Sequence, residues 1–364
     1  ESRILRVLCR QGAVARSWQE SLACRAVIFL INLPAWLLHK LYGAFRMTFE
    51  DSFFARLAFS MGDETAIAQS WMIMLLWVIP FSYWNNAYSL MGFVLLLALF
   101  YVGAMHQERF RLDAANIGFY PMLLFGAMFL AVAFSYVPSE SLRFLFYHIS
   151  AALCVLVTVS AVRSVEDLKR LAAGGGVCVL VSSLYGVYQR IQGVEVNESY
   201  VDMTVNAGMP GRVESYFDNP NTFAEVLILL LPLVLALVLC SRRWYSRLIA
   251  CGVAVVGVAA LGMTYSRASW VGLAFAAVVF VVLWNRKLIP FGILAALVVL
   301  AILPDTVFNR ILTIFNTSDT STNSRFPLYQ AAGEFLQQRP VLGAGLGSDA
   351  VRQAIGDLNL FHGK

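Results

Sequence analysis

The chain has 364 residues, 59% of them hydrophobic and 13% charged, with a net charge of +5 and a mean hydropathy of +0.69. Soluble domains carry about 25% charged residues and roughly 45–50% apolar ones. The excess here falls in runs of about 17–25 residues, long enough to cross roughly 30 Å of hydrocarbon. These figures exclude a soluble globular domain and imply an all-α polytopic membrane protein.

Residues 1–66 read as a region of amphipathic, interfacial helices on the cytoplasmic side. A loose repeat of acidic-Ser-x-x-x-Arg recurs at Glu1-Ser2 to Arg6, Glu20-Ser21 to Arg25 and Asp51-Ser52 to Arg56. A serine ahead of helix-forming residues can cap free N–H groups, so each copy marks a helix start. Apolar sequence mixed with arginine and lysine, as in "CRAVIFLINLPAWLLHKLYGAFR", suits a helix lying among anionic headgroups. The alternative, a pair of true spans, is opposed by Pro34, His39 and Lys40 within that stretch.

Residues 67–304 form the expected bundle, with about nine spans. Their approximate bounds are 67–84, 87–105, 117–137, 143–162, 174–190, 222–240, 246–265, 268–284 and 288–304. The first, fourth and fifth are the weakest, because they contain Gln69, His148 and Gln189. With the N-terminus inside, every short inner connection is basic: Arg109 and Arg111; Arg163, Lys169 and Arg170; Arg242, Arg243 and Arg247; Arg286 and Lys287. The outer connections 85–86 and 138–142 have neither lysine nor arginine, which satisfies the positive-inside rule. Segments 191–221 and 305–364 then lie outside, the second as the start of a large outer loop. An odd number of spans before that loop creates the expectation of further spans beyond Lys364. The first sixty residues lack the basic-apolar-small order of a cleavable signal. The six cysteines lie in the N-terminal region or in apolar runs, so no disulfide framework is implied.

Positive charge is normally depleted outside, which makes Arg190, Arg212, Arg267 and Arg325 conspicuous. An arginine at a membrane boundary can simply snorkel to water. Arg267 is different: only a few polar residues separate the apolar sequence on either side of "TYSRASW", so its guanidinium sits close to the membrane plane. The planar guanidinium fork suits phosphate oxygens. No two outer carboxylates make an Asp-x-Asp pair, and no Cys/His set has metal-ligand spacing, so arginines in place of a metal are the more economical reading. No metal or other cofactor is expected.

In "GRVESYFDNPNTFAEVL" the Asn219-Pro220-Asn221 triplet can start a helix, with Pro220 keeping Asn219 extended and Asn219 or Asn221 capping. Direct ligand contact by Asn221 is the competing role. In the last segment, Arg325 to Gln338 reads as an amphipathic helix with Leu328, Ala331 and Phe335 on one face. Pro340 ends it. The G-x-G-x-G of Gly343, Gly345 and Gly347 is not the dinucleotide fingerprint, since no strand precedes it. It instead permits a tight backbone path. His362 is the only histidine in an outer segment and could act as a base near neutral pH, although a solvated loop histidine is the plainer reading.

In order, "YGVYQRIQG", "GRVESYFDNPNTFA", "TYSRASWVGL" and "SRFPLYQAAGEFLQQRPVLGAGLG" resemble the O-antigen ligase and polysaccharide polymerase family of bacterial integral-membrane glycosyltransferases. The resemblance covers roughly residues 185–350. It implies a GT-C-like helical bundle in the bacterial cytoplasmic membrane, multi-pass with its N-terminus cytoplasmic. The implied donor is a polyprenyl-diphosphate-linked oligosaccharide at the outer face, and the acceptor a glycan or lipid-glycan. Membrane lipids are further partners; nucleic acid is not. Transfer would be metal-independent and inverting. By this resemblance Arg212, Arg267 and Arg325 hold the diphosphate and a histidine activates the acceptor; Arg190 and Asn221 are further substrate-binding candidates from the reading of the chain itself. The family usually has that histidine in a His-Asn pair, whereas His362 stands in "LFHGK". A transporter or flippase for an anionic lipid-linked substrate is the alternative, though such proteins usually place charge at mid-membrane and repeat their spans.

Overall fold

A computed structural model describes residues 12–78, 86–107, 111–197, 210–302, 307–308 and 325–357, and among these there is no strand. The helices are α1 (Ala13–Glu20), α2 (Leu22–Ala44), α3 (Arg46–Asp51), α4 (Phe53–Asp63), α5 (Thr65–Val78), α6 (Asn86–His106), α7 (Ala114–Ile117) and α8 (Phe119–Ala133). They continue as α9 (Pro138–Ala161), α10 (Val165–Gln192), α11 (Pro220–Cys240), α12 (Trp244–Met263), α13 (Arg267–Asn285), α14 (Ile289–Ile302), α15 (Arg325–Gln338) and α16 (Ser348–Asp357). The chain is an all-α polytopic membrane protein. Among the described residues, seven helices are long and apolar enough to cross a membrane: α2, α6, α9, α10, α11, α12 and α13.

Six of these coincide with runs expected to span. The other three runs appear as helices of 14, 15 and 14 residues, α5, α8 and α14. At 1.5 Å per residue α8 reaches only about 22 Å, short of a straight crossing, whereas α5 and α14 run up to residues outside the described set. For α8 the reason is local: Gly118 precedes it at φ 90°, and the chain leaves the helix at Phe134. The seventh long helix, α2, lies in the region read as interfacial and runs through Pro34. The serine signals hold where they are described: Ser21 caps α2 by accepting from Cys24 N, and Ser52 caps α4 by accepting from Ala55 N.

The chain divides into two compact units. Of the described residues, one comprises 73–78, 169–197, 210–302 and 307–308, the other 12–72, 86–107, 111–168 and 325–357. In the first, α11 turns Phe223, Leu227, Leu231 and Val234 inward against Val179 of α10 and Val253, Ala260 and Leu261 of α12. Lipid tails are as apolar as leucine, so close packing rather than water exclusion holds such helices together, and small residues let their backbones approach. A Cβ on Gly257 would lie 2.7 Å from Leu231 and 2.8 Å from Val179; on Gly186 it would lie 2.9 Å from Val213.

In the second unit α6 packs against α2, α4 and α9. Gln69 of α5, read as a weakness of that span, is fully buried, and its Nε2 donates to the Cys154 carbonyl and the Thr158 hydroxyl of α9. In α15, Ala331 and Phe335 are buried as expected, whereas Leu328 is 52% exposed. The cover over this face, Tyr136, Ala344 and Ala354, reaches only the second half of the helix. Gly343, Gly345 and Gly347 adopt φ of 63°, 114° and 104°. Their path fits around Ser141, whose hydroxyl donates to Leu346 O at 2.7 Å and accepts from Leu346 N at 2.9 Å. Glu140 caps α16 by accepting from Asp349 N and Ala350 N.

Replacing Gly257 with leucine should force α11 and α12 apart and cost about 1–3 kcal/mol, as overpacking of a tight core does. A lowered thermal midpoint of the detergent-purified protein checks this.

Candidate functional site

Only three residues, Thr264 to Ser266, link α12 to α13. A helix end this short leaves backbone carbonyls facing the loop side without helical partners. Two of them are met by the segment before α11. Val213 N donates to Met263 O at 3.1 Å, and Arg212 Nε donates to Thr264 O at 2.7 Å. Arg212 Nη2 then donates to Asn221 Oδ1 at 2.6 Å. The Arg212 residue is only 8% exposed, so its guanidinium is an interior cation with Thr264 O and Asn221 Oδ1 among its partners.

Asn221 is placed by the helix start. Asn219 is the N-cap, in extended conformation, and its Oδ1 accepts from Asn221 N at 2.8 Å, while Pro220 occupies the first turn, where its missing N–H costs nothing. The triplet therefore starts the helix as expected, and Asn221 in addition meets Arg212. Asn219 caps, and Asn221 holds the arginine.

The end of α10 anchors the same loop. Gln189 Nε2 donates to Ser215 O and Gln189 Oε1 accepts from Ser215 N, both at 2.8 Å. Ser215 Oγ donates to Ser182 O at 2.8 Å. Arg190 follows with Nη1 donating to Gly211 O at 3.3 Å and its guanidinium 5.9 Å from the Tyr265 ring. At Gly211 a side chain is excluded, since a Cβ would fall 2.1 Å from Val194 O. A ladder of rings, Tyr185, Tyr216, Phe217 and Phe223, runs beside the loop at centroid spacings of 5.9, 4.9 and 5.6 Å.

Three non-glycine residues have positive φ among the described residues: Ser215 (55°), Asp218 (54°) and Tyr265 (51°). All lie in this loop or in the turn it binds. Such conformations cost of order 1–3 kcal/mol each and persist where the surroundings over-determine them, often at functional sites. Here the Gln189 clamp and the Arg212 bonds do so.

Arg190, Arg212 and Asn221 are thus brought together around the 264–265 turn, and Arg267, half-buried, opens α13 two residues on. Arg325 opens α15 in the other unit. His362 falls outside the described residues. Reasoning from sequence missed Gln189 as an anchor, having counted it only as a defect in its span; its position one residue before Arg190 at the polar end of α10 was the available signal. It also missed the backbone of Thr264 as the Arg212 partner, which no side-chain pattern announces. Among the described residues no three His, Cys, Asp or Glu side chains cluster as metal ligands.

Burial, and secondarily the nearby Asp218, raises the carboxyl of Glu214 above its usual range. A raised carboxyl favours the protonated form in the folded state. The stability this contributes is complete below the unfolded-state pKa and is lost as pH rises through the folded one. E214Q should therefore gain thermal stability relative to the parent as pH rises from about 4 to 7, with the two converging at the acid end. Thermal unfolding across that pH range measures it.

Asn221→Ala should leave Arg212 buried with one fewer charge-assisted hydrogen bond, a loss of about 1.5–3 kcal/mol in positioning. The measured effect should be at least a tenfold fall in function at unchanged yield in the membrane.

Comparison with known proteins adds one match: residues 252–361 fit the family model described as O-Antigen ligase. The resemblance read from the sequence is borne out over that stretch, which includes Arg267 and Arg325 and lies outside Arg190, Arg212, Asn221 and His362. No curated protein and no solved structure matches the chain.

Proposed function

We propose, from the O-antigen ligase domain at residues 252–361 and the arginine held against its first turn, that the protein transfers or polymerises a polyprenyl-diphosphate-linked glycan at the outer face of the bacterial cytoplasmic membrane. The observation that carries this reading is the buried Arg212, fixed between Thr264 O and Asn221 Oδ1. The matched domain supplies the turn, and the segment before α11 supplies the cation.

In this reaction an acceptor hydroxyl attacks the anomeric carbon of the donor sugar. A new glycosidic C–O bond forms, the bond to the diphosphate oxygen breaks from the opposite side, and the configuration inverts. The hydroxyl proton passes to a base, for which His362 is the candidate by resemblance. Negative charge grows on the departing diphosphate, still attached to its lipid. A positively charged group already fixed in place stabilises that charge without reorganising, the effect that usually contributes most to such steps. Arg212 is oriented for this, and Arg190 and Arg267 adjoin the same turn. Arg325 is retained on the resemblance alone. The charge stabilisation is of the kind a divalent ion supplies elsewhere, so the proposed transfer is metal-independent.

The proposed orientation keeps the N-terminus cytoplasmic, with α2 at the interface. It rests on the lysines and arginines of the short connections and leaves Arg212 and the 264–266 turn outside.

Arg212→Ala and Arg267→Ala should each lower glycan transfer by roughly 10²–10³, the usual loss for one transition-state donor, with membrane insertion unchanged. Purified protein in detergent with lipid-linked glycan and acceptor provides the assay, and one compartment suffices for transfer but not for transport. Near-normal transfer by both variants would sink the proposal. In cells lacking the protein, a glycan ladder reduced to single repeats identifies a polymerase. Full-length chains accumulating on the lipid carrier identify a ligase.

A further inference from the structure

A cavity of about 490 Å³ lies beside α2, within the second unit and apart from the arginines above. Arg25, Phe29, Asn32, Trp36 and His39 line it from α2, and Arg111 from the connection after α6. On α2 these residues follow one another at intervals of 4, 3, 4 and 3, so they form one stripe along the helix. The stripe begins with a cation and continues through aromatic rings.

The cavity is built rather than left over from loose packing. Asn32 Oδ1 accepts from Leu112 N at 2.7 Å, and its Nδ2 donates to Leu112 O and Ile28 O, both at 2.9 Å. His39 Nδ1 donates to Met105 O at 2.9 Å, and the Tyr101 hydroxyl donates to Ile31 O. These bonds fix α2 against α6 and the 111–113 connection, and so set the width between the walls.

Arg25 and Arg111 are exposed, and their guanidinium groups make no hydrogen bond or ion pair to another described residue. Two guanidinium groups without a carboxylate, next to Phe29 and Trp36, call for an anion carrying hydrocarbon. Guanidinium matches phosphate oxygens in a planar, two-point fashion. Basic residues near an anionic leaflet add about 1 kcal/mol each to lipid binding. We propose that this cavity binds an anionic phospholipid, with its phosphodiester on Arg25 and Arg111 and one acyl chain along Phe29 and Trp36. The proposal is independent of the glycan-transfer reading, since it uses none of the residues placed there.

The test uses the full chain in detergent with two probes, phosphatidylglycerol and phosphatidylcholine. Native mass spectrometry should show phosphatidylglycerol retained at least roughly tenfold over phosphatidylcholine, as two cations near one phosphate imply. R25Q/R111Q should lose that preference. Should the double variant fold poorly, quenching supplies a second arm: phosphatidylglycerol brominated on its acyl chain should quench tryptophan emission in the parent, and W36F should lose that component. Equal retention of the two lipids overturns the proposal. So does a preference that survives R25Q/R111Q, quenching that W36F leaves unchanged, or displacement of the lipid by millimolar inorganic phosphate.

Discussion

The bond from Arg212 Nε to the Thr264 carbonyl ties together everything that distinguishes the first unit. The α12–α13 link is three residues long, so its carbonyls cannot fold back into a helix or withdraw into water. A donor must come to them, and the donor chosen is a charged side chain from a segment 52 residues earlier. That choice fixes where the segment before α11 runs, and hence where α11 begins. It also places a permanent positive charge beside the end of α12. Val213 N bonding to Met263 O completes the attachment through backbone alone.

Holding a charge in so closed a place has consequences nearby. The loop accepts left-handed conformations at Ser215 and Asp218, which only a well-anchored segment can sustain. Gln189 provides the anchor by presenting both faces of its amide to the Ser215 backbone, one donor and one acceptor. Each polar atom so used avoids the cost of an unpaired group near hydrocarbon. A polar residue that weakens a span by composition can thus anchor the fold by location; in the second unit the Gln69 Nε2 likewise bonds across to α9, while its Oε1 is buried without a hydrogen-bond partner.

The second unit uses backbone shape where the first uses charge. Three glycines at positive φ lead the chain past Ser135 and Ser141, so closely that a Cβ on Gly345 would lie 2.1 Å from Ser135 Oγ. Glu140 then meets the N–H groups that open α16. The segment carrying α15 and α16 is thereby attached to the α8–α9 connection and the start of α9 by a few directional bonds and by Tyr136, which meets Phe335 and lies under the Arg339 guanidinium.

Helix identity, membrane character and the start of α11 were legible in the residues, because apolar run length and the Asn-Pro-Asn cap are local properties. The same holds for Arg212 as an anomaly, since an arginine between apolar runs is visible without a fold. The shortfall of α8 was not: Gly118 reads as an ordinary apolar-run residue until its φ of 90° ends the preceding turn. Leu328 fits the stripe of Ala331 and Phe335, and only the reach of the covering residues leaves it outside. What the sequence determined by itself was the set of elements and the unusual charges at their ends, since propensity and hydropathy act over neighbouring residues. What the tertiary structure alone decided was which groups the polar side chains there meet, Thr264 O and Asn221 for Arg212 and the Ser215 backbone for Gln189. Backbone carbonyls carry no sequence signature, and partners as far as 52 residues apart are chosen only by packing.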